Sequence, residues 1–342
     1  MTFETSPLVN FRTPTYRRGP ALERCLLSMI GQTHENWVAD VYDDDPAGSA
    51  EAVVEAIGDP RIHYHHNQPQ LFGSRNIDQC FSRRNPRDAD FFAVVEDDNW
   101  IFPGFAQRGI ELARAHGVEI VFTDQVVEDD SGTEAATLTD RQVLKRRYKE
   151  GVFSAQDLHI ALMVWHGLSN GGIFWSRNIS SDLEIKHPCN STIQEYLRAL
   201  CIQEPVYVST EAQGVWANYG ARTLRNLGDT ASELKRELHL KKAIRTIRRA
   251  VWANAPASAQ ALLMSDEKYR FDRHAKLENL FRSHLGTAYL GEAPLSKSLG
   301  TFGRSLMVLA FGRTEPAVGA MLREKGFFDG EPPRGSRHRT QH

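Results

Sequence analysis

Apolar and polar positions change period repeatedly along the first 130 residues. The runs "LVNFRT" (8–13), "WVADVYDDD" (37–45), "RIHYHH" (61–66), "DFFAVVEDD" (90–98) and "EIVFTDQVV" (119–127) are short and rich in β-branched or aromatic residues, which predicts five strands. Between them, "PALERCLLSMIGQT" places Leu22, Leu26, Met29 and Ile30 at helical spacing and stops at Gly31. "GSAEAVVEAIGDP" predicts a short helix closed by Gly58 and Pro60, and "SRNIDQCFSRR" and "FAQRGIELARAHG" predict two more. Strands alternating with helices imply an α/β fold, a mostly parallel central sheet flanked by helices. Beyond residue 228 the period is helical throughout. "ASELKRELHLKKAIRTIRRAVWA" aligns Leu240, Ile244, Ile247 and Val251 in one stripe, with Lys241, Lys242, Arg245, Arg248 and Arg249 around the rest. "LGTFGRSLMVLAFGR" is apolar and punctuated by glycine, and "DGEPPRGSRHRTQH" is polar and proline-containing, as disordered tails are.

Composition changes this picture little. Apolar residues make up 41% and charged residues 25% of the 342 positions, as in ordinary globular proteins, and a net charge of −2 gives no reason to expect nucleic acid as a partner. The N-terminus lacks a basic segment followed by an apolar core, and no apolar run is long enough to span a bilayer, so a cytoplasmic location is expected. Cys25, Cys80, Cys189 and Cys201 are far apart and form no CxxC pair, which predicts reduced, buried thiols.

Candidate chemistry gathers at strand ends, where ligands of open α/β sheets bind. Glu96, Asp97 and Asp98 follow the apolar run of the fourth strand. Three carboxylates so close repel one another, and an oxygen-only cluster without His or Cys suits a hard divalent cation, Mg²⁺ or Mn²⁺. "HYHH" (63–66) offers no such set, because His63 and His65 share one strand face and His66 points to the other, so those histidines are read as structural.

The strand ends "RTPTYRR" (12–18), "VYDDDP" (41–46), "GSRNIDQCF" (73–81) and "EDDN" (96–99) together resemble the signature of family 2 glycosyltransferases, inverting enzymes of GT-A fold that use nucleotide-sugar donors. The resemblance runs over roughly residues 7–128. It implies that Pro14, Thr15 and Tyr16 line the nucleoside pocket, and that Asp43 or Asp44 accepts a hydrogen bond from the base. By the same resemblance Arg75 neutralises the diphosphate or borders the base, Asp97 lies near the ribose or sugar, and Asp98 is the main metal ligand. "DDDP" departs from the usual Asp-Asp-Gly-Ser ending. "WHGLSNGGIFWSRN" (165–178) resembles the acceptor-side loop, with His166 within reach of a phosphate or metal. Where the family carries a Glu-Asp pair, "NSTIQEYLRALC" (190–201) supplies only Glu195, the expected general base, with Asp182 and Glu184 in reserve. "GVWANYGART" (214–223) lacks the family's metal-binding histidine, leaving Asn218, Tyr219 or water in its place.

The resulting expectation is a GT-A-like domain over 1–228, with a donor half at 7–128 and an acceptor half at 129–228, then a helical C-terminal extension at 229–329 and a disordered tail at 330–342. The implied reaction moves a sugar from a nucleoside diphosphate, UDP favoured over GDP or dTDP, to a hydroxyl on a glycan, a lipid carrier or a small molecule. The basic helix after residue 230 suggests peripheral contact with the inner face of a membrane, and homo-oligomerisation stays open. The alternatives are a sugar-phosphate nucleotidyltransferase, or an inactive donor-binding or adaptor protein on the same fold.

Overall fold

The computed structural model describes residues 6–164, 169–218 and 229–327. The first segment alternates β1 (Val9–Thr15), α1 (Gly19–Ile30), β2 (Trp37–Asp43), α2 (Glu51–Ile57), β3 (Ile62–His66), α3 (Gly73–Gln79), β4 (Phe91–Val94), the two-residue β5 (Trp100–Ile101), α4 (Phe105–His116) and β6 (Ile120–Asp129). There follow β7 (Thr137–Gln142), β8 (Gly151–Phe153), α5 (Ala155–Ala161), β9 (Ile173–Ser176), α6 (Ser191–Cys201) and β10 (Val206–Asn218). The remainder is helical: α7 (Thr230–Asn254), α8 (Ala257–Met264), α9 (Arg273–His284), α10 (Leu295–Phe311) and α11 (Pro316–Glu324).

All but two of the strands lie in one row, β3-β2-β1-β4-β9-β6-β10-β5, with β7 paired to β6 and β8 to β10. The ladders β3-β2, β2-β1, β1-β4 and β6-β10 are parallel, as the alternating pattern predicts. β9 runs antiparallel between β4 and β6, joining the two parallel blocks. Its approach requires small residues on the turn before it. A Cβ on Gly172 would meet the Thr123 carbonyl oxygen at 2.7 Å, and one on Gly171 the Gln125 side-chain nitrogen at 3.0 Å. The glycine pair is therefore fixed by packing on β6. Because β1 is flanked by β2 on one side and β4 on the other, the strand order reverses at β1/β4, and a crevice opens beyond their carboxyl ends.

Alternation along the strands sorts the core into two layers. Val9, Phe11, Ala93 and Val95 face α1, α2 and α4, whereas Phe92, Val94, Ile120 and Phe122 face α3, α5 and α6. The second layer continues without a break into the C-terminal helices through Ile247, Val251, Val318 and Met321. The predicted α7 stripe is thus a packing face: Ile247 and Val251 are buried, and Leu240 and Ile244 lean on the same core. The expected disordered tail lies outside the described residues.

Candidate active site

The crevice beyond β1 and β4 holds the acid triplet. After Thr15 the chain turns sharply, with Arg17 at φ 55°, and Pro20 opens α1. This turn folds the end of β1 onto the carboxylates. Thr15 Oγ1 donates to Asp97 Oδ2 at 2.8 Å, the Tyr16 amide donates to the same oxygen at 3.3 Å, and Arg18 Nη1 reaches Asp97 Oδ1 at 3.3 Å and also bonds Asp98. Arg24, stacked on Trp100 at 4.0 Å, donates to the Asp98 carbonyl at 3.2 Å. Asn99 closes the turn beneath them, accepting from the Ala217 amide at 2.9 Å and tying it to β10.

Burial and the Asp98 charge push Glu96 and Asp97 well above the usual carboxylate range, and Arg18 offsets this only in part. Such an undercompensated set of oxygens fits a hard divalent cation. Among the described residues no group of three or more His, Cys, Asp or Glu is arranged to hold an ion alone. Oxygens from elsewhere would have to complete its shell.

The two candidate base-binding aspartates differ. Asp43 is fully buried and accepts from the Asp45 amide (2.9 Å), the Ala50 amide (2.9 Å) and the Tyr64 hydroxyl (3.2 Å), so its carboxylate fastens the loop after β2. Asp44 accepts from the Leu71 amide at 2.7 Å and Asn67 at 3.1 Å through one oxygen, and its own amide donates to the Thr15 carbonyl at 3.0 Å. Asp45, the departure from the family ending, is ion-paired with Arg17 at 2.9 Å. Pro14 sits within β1 opposite Tyr42. Arg75 stands exposed on α3 and makes no hydrogen bond or ion pair among the described residues.

Glu195 approaches from the acceptor side. Asn190 caps α6 by accepting the Thr192 amide at 2.9 Å, and α6 is clamped to α3 where Gln194 donates to the Ser74 carbonyl (2.7 Å) and the buried Arg198 to Asp78 (3.2 Å). Asp78 also accepts the amides of Ile185 and Lys186, at 2.9 and 2.8 Å. Held this way, Glu195 lines a cavity of about 310 Å³ with Ser169, Trp216, Arg141, Arg146 and Arg147. Burial, and then the charge of Glu96, push its carboxyl up to about 8, so the base candidate and the acid triplet feel one another across the site. Of the reserves, Asp182 pairs with Lys186 at 2.6 Å, and Glu184 is raised by burial; neither lines this cavity. His166 and Tyr219 lie outside the described residues, and Asn218 donates to Asp129 at 2.9 Å. The histidines of β3 are structural: His65 pairs with Asp40 at 2.8 Å, and His66 bonds the Asp45 carbonyl at 2.8 Å.

Arg18, Arg24 and the cavity arginines received no role from the sequence. "YRRGP" places Arg18 beside the strand end, which is a usable signal; Arg24 sits two turns into a helix and has none.

Among solved structures, S. aureus TarS 1-349 shares this architecture, with a TM-score of 0.53 at 11% identity over 93% of this chain and 88% of that one. The fold class is that of the GT-A glycosyltransferases. Residues 12–167 match the family model described as glycosyl transferase family 2. The strand-end motifs that carry the resemblance all lie within it, whereas Glu195 lies beyond. Uncharacterized protein MT1568 of Mycobacterium tuberculosis (strain CDC 1551 / Oshkosh) is 27% identical over 124 residues, 36% of this chain and 38% of that protein, so the match spans well under half of the relative.

Proposed function

We propose that the protein is an inverting glycosyltransferase that moves a sugar from a nucleoside-diphosphate donor to an acceptor hydroxyl. The observation that carries this reading is the pairing across one crevice of a strand-end acid triplet, bonded to Thr15 and Tyr16, with a raised Glu195 carboxyl beside an open cavity. The end of β1 and Asp44 would take the nucleoside, and Asp97 the ribose or sugar side. Asp98 would hold a divalent cation, Mg²⁺ or Mn²⁺, whose chemistry is to neutralise charge on the diphosphate. Glu195 accepts the proton of the acceptor hydroxyl as its oxygen bonds to the anomeric carbon and the bond to the diphosphate breaks on the opposite face. Arg75, exposed on α3 without a hydrogen bond or ion pair among the described residues, would meet the departing diphosphate, where negative charge grows. The three arginines and Trp216 of the cavity favour an acceptor that pairs an anionic group with an apolar or sugar face.

The test is release of nucleoside diphosphate from UDP-, GDP- and dTDP-sugars by the full chain, with and without Mn²⁺, followed by the anomeric configuration of the product. Release of pyrophosphate in its place would indicate a nucleotidyltransferase, and binding without turnover an inactive adaptor. Retention of configuration would overturn the inverting displacement.

A further inference from the structure

Between α7, α9 and α10 lies a cleft of about 270 Å³ whose charge is unbalanced. Lys241, Arg245 and Arg248 from α7, Arg282 from α9 and Arg304 from α10 line it, and no carboxylate does. Two of these cations are answered from just outside the wall: Glu237 pairs with Lys241 at 2.8 Å, and Glu278 with Arg282 at 2.6 Å. Arg248 donates to two neutral oxygens, the Leu162 carbonyl and Asn279 Oδ1, both at 2.8 Å. Arg245 decides the character of the cleft. It is 9% exposed, donates to the Arg282 carbonyl at 2.7 Å, and pairs with no carboxylate among the described residues. A guanidinium buried this far is ordinarily ion-paired, because desolvating an unanswered charge is costly. Burial, and then the charge of Arg249, hold Arg245 below its ordinary value. Arg304 is exposed and makes no hydrogen bond or ion pair among the described residues.

We propose that this cleft binds a small phosphate monoester from solution, its dianionic group held by Arg245 and Arg304 with Arg248 beside them. Guanidinium forks from two helices offer several N–H donors to one set of tetrahedral oxygens, and a doubly charged phosphate answers both unpaired cations. A carboxylate, with one charge and two oxygens, would leave one of them unanswered. The concave shape, walled by three helices, suits a small ester rather than a flat lipid surface. The cleft is distinct from the candidate active site but shares α6 with it, Tyr196 lining the one and Glu195 the other.

The experiment is calorimetric titration of the full chain with inorganic phosphate and with glycerol 3-phosphate at constant ionic strength, with melting temperatures measured alongside. Both probes should bind saturably and raise the melting temperature, and acetate should do neither. Arg304→Ala should weaken phosphate binding roughly tenfold and, because the side chain is exposed, leave the melting temperature without phosphate unchanged. Arg245→Met should remove the phosphate-induced rise, whatever it does to the starting temperature. Arg75→Ala and Arg146→Ala should bind phosphate as wild type does. Vesicles containing phosphatidic acid, the same monoester carried on a lipid, should compete with glycerol 3-phosphate no better than phosphatidylcholine vesicles. Undiminished binding by Arg304→Ala and Arg245→Met, a loss in Arg75→Ala or Arg146→Ala in their place, binding of acetate equal to that of phosphate, or stronger competition by phosphatidic acid would each overturn the proposal. None of these readings depends on donor or transfer.

Discussion

At the scale of single residues, environment sorts carboxylates that look alike in the sequence. Glu195 is raised to about 8, so it is mostly protonated at neutral pH. As a base it works only when ionised, and the acidic limb of kcat/KM should therefore lie near 8 in the donor-free enzyme, far above an ordinary glutamate. Stability follows the opposite sign. The folded chain keeps a proton that the unfolded chain releases from about 4.5, so this contribution is complete at lower pH and is lost as pH rises to about 8. Glu195→Gln should slow transfer roughly a hundredfold while leaving donor affinity intact, and its advantage in melting temperature over wild type should grow across that window. A limb at ordinary carboxylate pH, or wild-type transfer by the variant, would remove Glu195 from the role. Asp98→Asn makes a contrasting case. It removes one of three mutually repelling charges, so the fold should hold or gain stability while Mn²⁺-dependent UDP binding disappears from calorimetric titrations; unchanged affinity would end the metal assignment.

At the scale of elements, the base depends on how α6 is fastened. Arg198 is 1% exposed, lies over the Phe81 ring at 3.6 Å and bonds Asp78, Asn170 and the Leu183 carbonyl, so one side chain joins α6, α3 and the loop before α6. Removing one partner of a buried ion pair leaves the other charge uncompensated, at about 3–5 kcal/mol. Arg198→Met should lose stability of that order in urea unfolding and lower transfer by misplacing Glu195. A loss below ~1 kcal/mol, the scale of an exposed pair, would show that α6 is held by its apolar face alone. The family resemblance finds the segment of α6 that carries Glu195, yet the Arg198–Asp78 pair spans 120 residues and leaves no local trace.

At the scale of the whole molecule, the C-terminal helices complete the core. Ile247, Val251, Val318 and Met321 belong to the same buried layer as Phe92 and Ile120. Each such side chain contributes about 1.5–3 kcal/mol on burial, so losing four is comparable with a domain's full stability of about 5–15 kcal/mol. Residues 1–228 expressed alone should aggregate or unfold without cooperativity. A soluble fragment that melts cooperatively at the full-chain temperature would instead establish 1–228 as an independent domain. The described helices include none long and apolar enough to cross a membrane, and α10 carries a run of exposed apolar side chains.

The sequence by itself determined what depends on neighbours in the chain. Strand and helix periods, the acid triplet at the end of β4, the turn that follows β1 and the helical C-terminal region are all local patterns, legible because period and polarity are set over a few residues. Tertiary structure decided what depends on distant partners. It turned Asp43 into the loop and left Asp44 beside Thr15, brought Arg18 to the triplet, and inserted β9 antiparallel between the parallel blocks. It also set Glu195 within the field of Glu96, 99 positions earlier in the chain. The two amphipathic C-terminal helices received opposite fates, α7 buried against α5, α6 and α11 and α10 left with an apolar face outward, because a hydrophobic stripe specifies that something must cover it but not what.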